Sequence, residues 1–414
     1  MRSVDCLRAL ALLAAITACG GDGDERPGGL GHPFGSHAGY AAGAIRPSAD
    51  PDTLDAATAA FYDEWKTRFL EPACGDGELR IRFASAGAKR TVSEAIGYGM
   101  LATVVMAGHD PEARALFDGL WRYVEEHPSA ENADLMAWAQ NRDCEDVEGS
   151  DSASDGDLDI AYALLLADVQ WGSAGDIDYR AAADRRIAAV LASDVHPEAD
   201  SILLGSWALD PEYADGTRLS DQMPSHFKAF AATSGDAHWD AVTDRSYATL
   251  AALQADHAPA TGLVPDFAVG ADGDSPAPAP ARYLEGPGDG RYDYNACRVP
   301  WRIASDVLVS GDARGRDAMR ALNAWVRDST GDDPSAIRAG YALDGSPTAD
   351  YETMAFVAPF AVSAMIEPAS GSNQAWLDAL WEEIAASAPE DYYEDSIKLL
   401  SMIAVSGNWW SPVE

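Results

Sequence analysis

The sequence predicts an all-α protein, an (α/α)6 barrel of about twelve helices with long loops at one end. Apolar residues recur with helical spacing along almost the whole chain of 414 residues. Strand-like alternation is rare, and Leu79–Phe83 is its best example. The connections between helices alternate between short and long, which is typical of helices that run up and down in antiparallel pairs. A hydrophobic fraction of 47% is enough for one large core.

The predicted helices span residues 52–69, 91–107, 112–127, 157–171, 178–194, 221–234, 237–255, 294–309, 313–328, 351–366, 373–387 and 394–405. The short connections are 109–111, 172–177, 235–236, 310–312 and 367–372, and the long ones are 70–90, 128–156, 195–220, 256–293 and 329–350. If the helices alternate in direction, every long connection falls at the same end of the barrel. Long loops on a rigid scaffold are where function usually lies, so we expect one functional site at that end.

The start of the chain has the pattern of an export signal. Arg2 and Arg8 give a positive beginning, and a short apolar run extends from Leu7 to Ala15. Residues 16–19, Ile-Thr-Ala-Cys, resemble a bacterial lipobox in which Cys19 would carry the lipid. The apolar run is too short to remain as a membrane span. The sequence therefore predicts a protein held by a lipid anchor.

This pattern divides the chain into three parts. Residues 1–19 are expected to be a lipoprotein-type signal peptide, and residues 20–33 a flexible linker rich in Gly and Asp. Residues 34–414 would form a single (α/α)6 domain. The location that follows is outside the cytoplasm, either at the outer surface of the cell envelope as a lipoprotein or as a secreted protein.

Charge and cysteine content limit the partners. The formal net charge of −38 argues against nucleic acid and permits a polycationic substrate, although solubility is the simpler explanation. Cys74 and Cys144 both lie in predicted loops, and we expect them to pair in an oxidising compartment. No spacing of Cys and His resembles a zinc site. The sequence implies no cofactor, no metal and no protein partner.

Three carboxylates lie close together where a loop becomes a strongly apolar helix, in ASDGDLDIAYA at residues 153–163. They are Asp155, Asp157 and Asp159. Taken alone, such a segment fits a metal loop, an acid-rich helix start or a catalytic carboxylate site.

Glu94 stands in TVSEAIGYGM at residues 91–100, in the first turn of a predicted helix. An acid in that turn complements the helix dipole, which is one interpretation, and catalysis is the other. Gly97 and Gly99 lie inside this otherwise apolar helix, where each costs about 1 kcal/mol relative to Ala. Such glycines indicate that another helix or a ligand packs closely there.

The predicted barrel brings distant residues to one mouth. Each of them lies in, ends or follows a long connection: Ser93, Glu94, Asp155, Asp157, Asp221, Glu285, Asn295 and Tyr351. This convergence predicts a single active site.

Three segments resemble glycoside hydrolase family 8. They are SEAIGYGM (93–100), ASDGDLDIAYALLLADVQW (153–171) and YNACRVPWRIASD (294–306), and they occur in the family's order. The segments SDQMPSHF (220–227), GLVPDF (262–267) and DSIKLLSMIAVSGNWWSP (395–412) also look familial. The resemblance extends over residues 33–412 and implies an inverting endo-glycosidase on an (α/α)6 barrel.

The resemblance also implies roles for the acids. Glu94 matches the general acid, and Asp155 matches the aspartate that holds the sugar at the cleavage subsite. Asp157 and Asp159 would then be structural. An inverting enzyme needs two carboxyl groups about 6.5–9.5 Å apart, one to protonate the leaving oxygen and one to activate water. For Glu94 to stay protonated near neutral pH, burial and a nearby carboxylate must outweigh the helix dipole.

The general base is the open question. Many family members have an aspartate at the position that Asn295 occupies here, and an amide cannot accept the proton. The chain resembles a subgroup with chitosanase-type and lichenase-type members, which has Asn there and takes its base from a glutamate in the preceding loop. That loop contains RYLEGPGDG at residues 282–290. We therefore expect Glu285 to be the base, with Asp293 and Asp289 as alternatives.

Further residues would bind substrate. Arg298 could orient the base or Asn295, or form only a structural ion pair. Trp138, in the loop before Asp155, is the best stacking candidate, and the others are Trp207, Trp301, Trp409 and Trp410, whereas Trp171 is expected to pack. The candidate groove residues are Tyr98, Tyr292 and Tyr351, and residues that match a subgroup motif are Asp221 and His226.

The expected substrate is a linear β-glucan, either cellulose-like or β-1,3-1,4-linked, with chitosan as the alternative. A non-catalytic glycan-binding lipoprotein is a hypothesis from another class, supported only by Asn295. A polysaccharide lyase on a similar helical toroid is a third.

Overall fold

The computed structural model describes residues 29–413. Their twelve α-helices are α1 (Pro51–Phe69), α2 (Ser93–Val105), α3 (Ala113–Glu126), α4 (Ser154–Trp171), α5 (Tyr179–Ser193), α6 (Pro224–Ser234), α7 (His238–His257), α8 (Val299–Ser310), α9 (Ala313–Thr330), α10 (Met354–Ala364), α11 (Gly371–Ala386) and α12 (Tyr392–Val405). Each corresponds to a predicted helix. None of the helices in this part of the chain has the length and apolar character that crossing a membrane would require.

The helices form two concentric rings. The even-numbered helices make the inner ring, in which each packs against the next and α12 closes the circle against α2. The odd-numbered helices lie outside, each against an inner helix. The inner helices are apolar nearly all round, which is typical of helices buried on every side. The predicted (α/α)6 barrel is confirmed.

A strap of chain without helix or strand, residues 31–45, crosses the end of the barrel where the inner helices finish. Five of its backbone N–H groups, those of Gly31, Phe34, Ala38, Ala41 and Ile45, donate to carbonyl groups at or just beyond the ends of α4, α2, α12, α8 and α10. These carbonyls have no partner within their own helices, so the strap satisfies them. We call this end the floor.

Contacts with the barrel thus begin at Gly31, inside the segment predicted as a linker. The predicted signal peptide, Cys19 and the linker up to residue 28 lie outside the described residues.

The long connections lie at the opposite end, the mouth, with three small antiparallel sheets. Strands β1 (Leu70–Pro72) and β2 (Leu79–Ile81) form one, β3 (Thr91–Val92) and β4 (Ala139–Gln140) the second, and β5 (Thr217–Arg218), β6 (Phe267–Val269) and β7 (Ala277–Pro278) the third. Cys74 and Cys144 form a disulfide between the loops before α2 and before α4, which confirms the predicted pair.

The third sheet belongs to a cap formed by residues 194–223 and 258–298. A second apolar cluster, separate from the barrel core, holds the cap together around Leu203, Leu204 and Phe267. Helix α6 begins at Pro224 rather than at residue 221, because proline suits the first helical position and a 3-10 turn, Leu219–Asp221, precedes it.

Candidate active site

The acids at the mouth stand where inner helices begin. Glu94 is the second residue of α2, and Asp155 is the second residue of α4. Glycines let these two helices approach closely: a Cβ at Gly97 would lie 2.8 Å from Cβ of Asp159, and one at Gly156 only 2.3 Å from Oγ of Ser93. Of the two alternatives expected at Gly97, another helix or a ligand, the structure shows a helix, α4. The close packing brings Glu94 and Asp155 to the same guanidinium.

That guanidinium belongs to Arg298, which is buried at the end of a 3-10 turn before α8. Its Nη1 donates to Oε2 of Glu94 at 2.7 Å, to the hydroxyl of Tyr98 at 3.0 Å and to Oδ2 of Asp155 at 3.2 Å. Its Nη2 donates to Oδ1 of Asn295 at 2.8 Å. One side chain therefore joins three of the inner helices at their N-terminal ends.

Glu94 is suited to hold a proton. Burial raises the pKa of Glu94 to about 7; the Arg298 guanidinium opposes this shift and the Asp155 carboxylate adds to it. The hydroxyl of Tyr392, at the start of α12, donates to Oε1 of Glu94 at 3.1 Å. The side chain keeps 12% of its surface exposed. A group of this kind can donate a proton near neutral pH.

The three aspartates of the acid cluster have separate surroundings. Burial opposes ionisation of Asp155, but Arg218 and Arg298 outweigh it and lower the pKa of this carboxyl group. Asp157 accepts from the backbone N–H of Met136 at 3.0 Å and from Arg186 at 3.2 Å.

Asp159 lies deeper in the barrel. It binds both terminal nitrogens of Arg302, at 2.7 and 2.6 Å, and Nε2 of His226 at 2.9 Å. Burial opposes its charge, yet Arg302 and His226 lower the pKa of Asp159 to about 2. Within the cluster, only Asp155 touches Arg298, so it is the one member that belongs to the site.

Glu285 lies in the cap with half of its side chain exposed. Its Oε2 accepts from Nδ2 of Asn295 at 2.9 Å, and its Oε1 lies 3.2 Å from Nη2 of Arg218. Asn295 thus connects Glu285 to Arg298 and, through it, to Glu94. The predicted acid and the predicted base belong to one hydrogen-bonded network.

The two alternative bases, Asp289 and Asp293, accept hydrogen bonds from backbone N–H groups of their own loop. Asp289 is buried, and its carboxylate accepts from the backbone N–H groups of Leu284, Glu285 and Gly286 at 2.7, 3.0 and 2.7 Å. Asp293 accepts from the backbone N–H of Tyr294 at 3.1 Å. Asp289 therefore shapes the turn that presents Glu285.

Three members of the site were missed by the sequence analysis: Arg218, Asp266 and Tyr392. Arg218 contacts Glu285 and also lies 3.4 Å from Oδ2 of Asp155. Asp266 accepts from the backbone N–H of Ala296 at 2.7 Å and fixes the turn that carries Asn295. Only GLVPDF, which contains Asp266, gave a signal.

Several predicted substrate contacts lie behind the site. Tyr98 and Asp221 have no exposed surface, and Arg298 has 1%. In this structure they hold other side chains, and their role in substrate binding stays a prediction. Asn295 is also nearly buried, at 7%. Tyr351 is half-exposed, and its hydroxyl is 3.0 Å from that of Tyr294.

The tryptophans divide in the same way. Trp301, Trp409 and Trp410 are buried and cannot stack on a sugar, and Tyr292 is likewise buried. Trp171 packs on Phe117, as expected.

Trp138 is half-buried at the mouth. Its backbone carbonyl accepts from Ser93, beside Glu94, and Lys89 Nζ lies 4.5 Å from its ring centre. Trp207 is half-buried in the cap, edge-on to Tyr213.

A buried carboxyl group whose pKa is raised to about 7, and a second carboxylate half-exposed at the same mouth, are the arrangement expected of a glycoside hydrolase. The chain belongs to the glycosyl hydrolases family 8, whose family model matches residues 50–407.

The similarity to several relatives extends over nearly the whole chain. A β-glucanase from Niallia circulans is 47% identical over 380 residues, which are 92% of this chain and 91% of that protein. An endoglucanase from Bacillus sp. (strain KSM-330) is 36% identical, over 92% of this chain and 82% of that protein. The solved β-1,3-1,4-glucanase from Paenibacillus sp. X4, in its apo form, superposes with a TM-score of 0.88 at 46% identity and covers 92% of this chain and 100% of its own.

Proposed function

We propose that this protein is an endo-acting hydrolase of linear β-glucans that inverts the anomeric configuration, with Glu94 as the general acid and Glu285 as the general base. The observation that supports it most directly is the contrast between the two groups. Burial raises the pKa of Glu94 to about 7, whereas Glu285 is half-exposed and bound to Arg218 and Asn295. The first is suited to donate a proton and the second to accept one.

The reaction is a single displacement. Glu94 gives its proton to the glycosidic oxygen as the bond from that oxygen to the anomeric carbon breaks. A water molecule attacks the opposite face of the anomeric carbon, forms the new C–O bond and loses a proton to Glu285. Asp155, kept charged by Arg218 and Arg298, holds the sugar at the cleavage point. The products are an α-configured reducing end and a free hydroxyl on the leaving chain.

The substrate class is drawn from the relatives. Proteins similar over nearly the whole chain are named as β-glucanase, endoglucanase and β-1,3-1,4-glucanase. We propose a cellulose-like or β-1,3-1,4-linked glucan for this chain as well.

A substrate panel tests the proposal. Purified protein is incubated with barley β-glucan, carboxymethylcellulose and chitosan, the release of reducing ends is measured, and the first anomer formed is identified by proton NMR. We expect rapid loss of viscosity and α-anomers from a glucan. Preferential cleavage of chitosan would show that the substrate is chitosan rather than a glucan. Release of β-anomers would refute inversion. Glucan binding without any product would make the protein a glycan-binding module instead.

We propose further that the protein is exported and lipid-anchored at Cys19, with residues 1–19 as the signal and the catalytic domain following the linker. The disulfide between Cys74 and Cys144 supports an oxidising compartment. Labelling with radioactive palmitate in a bacterial host should mark the wild type and not Cys19→Ala, and the wild type should fractionate with membranes. An unlabelled, freely secreted wild type would contradict the anchor and leave export standing.

A further inference from the structure

We propose that Arg218 is a positioning residue for the base, which sets Glu285 and Asp155 at a fixed separation across the mouth. This inference rests on the proposed function, in which Glu285 activates the water. It gives a role to a residue that no motif in the sequence marked.

The geometry around Arg218 carries the proposal. The residue is buried, and its two terminal nitrogens point to acids from three separate segments. Nη2 lies 3.2 Å from Oε1 of Glu285, whereas Nη1 lies 3.4 Å from Oδ2 of Asp155 and 3.6 Å from Oδ2 of Asp221. The planar guanidinium fixes the angle between its two arms, so it sets where these carboxylates stand relative to one another.

The cap holds Arg218 rigidly. The residue ends β5, where it is paired with Phe267 of β6, and its guanidinium carbon lies 5.3 Å from the centre of the Phe267 ring. The side-chain amide of Gln222 donates to the backbone carbonyl of Arg218 at 3.3 Å and to Oγ1 of Thr217 at 2.9 Å. The side chain thus leaves a fixed backbone and has an aromatic face against it.

Glu285 depends on this contact. Among the described residues, its side chain has two hydrogen-bond partners, Arg218 and Asn295, and of these only Arg218 carries charge. Asp289 fixes the backbone of the turn but leaves the Glu285 carboxylate free to rotate. Without Arg218, the flexible side chain would have a single neutral partner and half of its surface in water.

The charged groups around Arg218 also indicate that Glu285 depends on it. Asp155, Asp221 and Glu285 face Arg218, and Arg298 is the other cation of the site. Asp155 would keep Arg298 if Arg218 were lost, but Asp221 and Glu285 would lose the one cation that contacts them among the described residues. The two arginines divide the site: Arg298 contacts the acid and Arg218 the base.

The experiment compares Arg218→Met and Arg218→Lys with wild type on barley β-glucan. We expect Arg218→Met to lower kcat about 100-fold with KM changed only a few-fold, because a displaced base misdirects the water without removing a sugar contact. The acidic limb of its pH profile should move to higher pH by about one unit, since loss of the cation favours protonation of the facing carboxylates. Arg218→Lys keeps the positive charge but lacks the two-armed guanidinium. It should therefore return the acidic limb to its wild-type pH and recover only part of kcat.

A matched control separates this effect from damage to the cap. Arg245 also ties the cap, through the carbonyls of Ala199 and Gly273 at 3.0 and 2.9 Å, but it contacts no acid of the site. Arg245→Met should lower the melting temperature without moving the acidic limb. A folded Arg218→Met enzyme with wild-type kcat and an unmoved limb would overturn the proposal. If Arg218→Met does not fold, an Arg218→Lys enzyme with unreduced kcat overturns it instead. Full activity in Glu285→Gln would instead remove the base assignment itself, and the two failures are therefore distinguishable.

Discussion

The acid side and the base side of this site are built in different ways. Glu94 is part of an inner helix of the barrel, and its carboxyl group is held by Arg298 and Tyr392. Glu285 is in a turn of the cap, half-exposed, and reaches the barrel through Arg218 and Asn295. The difference suits the two tasks, because burial keeps a proton on the acid whereas the base must reach solvent for its water.

Removal of the acid should have the largest effect on activity. Glu94→Gln keeps the size and shape of the side chain but removes the proton that the acid donates, so kcat on barley β-glucan should fall about 1,000-fold or more. Release of reducing ends under saturating substrate measures it. Glu125→Gln, an exposed glutamate on α3, should match wild type. Substantial activity in Glu94→Gln would show that the buried carboxyl group is not the proton donor.

Removal of the base should have the next largest effect. Glu285→Gln should lower kcat about 100-fold, whereas Glu212→Gln, an exposed glutamate elsewhere in the cap, should not change it. Since Nδ2 of Asn295 is 2.9 Å from Oε2 of Glu285, a carboxylate at residue 295 would lie near the lost one.

The double variant Glu285→Gln with Asn295→Asp should therefore recover about tenfold of the lost kcat. Asn295→Asp alone should be harmful, because two carboxylates would then meet without a donor between them. No recovery in the double variant would mean that the position of the base is set more narrowly than the contact between residues 285 and 295 indicates.

A smaller effect is expected from Trp138, an aromatic residue near Glu94. Trp138 lies half-buried beside the start of α2, and we expect its ring to stack on a sugar. Trp138→Ala should raise KM about tenfold with a smaller change in kcat, and Trp138→Phe should recover most of the loss because it restores an aromatic face. Initial rates over a range of glucan concentrations give both constants. An unchanged KM in Trp138→Ala would remove this residue from the substrate groove.

The smallest expected change concerns the pH profile. Since burial raises the pKa of Glu94 to about 7 and the reactive form is protonated, activity should decline as pH rises through about 7. The hydroxyl of Tyr392 favours the charged form of Glu94, so Tyr392→Phe should move this basic limb upward by less than one unit. Tyr40→Phe, which removes a hydroxyl bonded to Ala404 at the floor end of α12, should leave the limb in place. A downward shift in Tyr392→Phe would contradict the assignment.

The barrel could be predicted because its signals are local. The inner helices are apolar all round and the connections alternate in length, and both features can be read from the sequence. The roles of Glu94 and Asp155 were predicted from the resemblance to the family, because the residues alone left a structural and a catalytic role both open. For the helices of the barrel, prediction and structure differed only at boundaries, such as the start of α6 at Pro224.

The contacts that complete the two sides of the site could be predicted only in part. Arg218 is 67 residues from Glu285 in the chain, and Tyr392 is 298 residues from Glu94, so no local pattern relates them. The roles of Trp301 and Tyr98 were also beyond the sequence, because residue type does not tell which face of an inner helix looks into the core. These contacts form only when the inner helices pack together into the closed barrel.

The strap across the floor has a consequence for how the enzyme meets a polymer. Residue 31 joins the barrel at the end of α4, on the side away from the site. A tether that enters at residue 31 would therefore meet the barrel at the floor, the end opposite the site. An enzyme immobilised through its amino end on a bead should digest long glucans as readily as short ones, since the solid support stands behind the barrel rather than in the path of the chain.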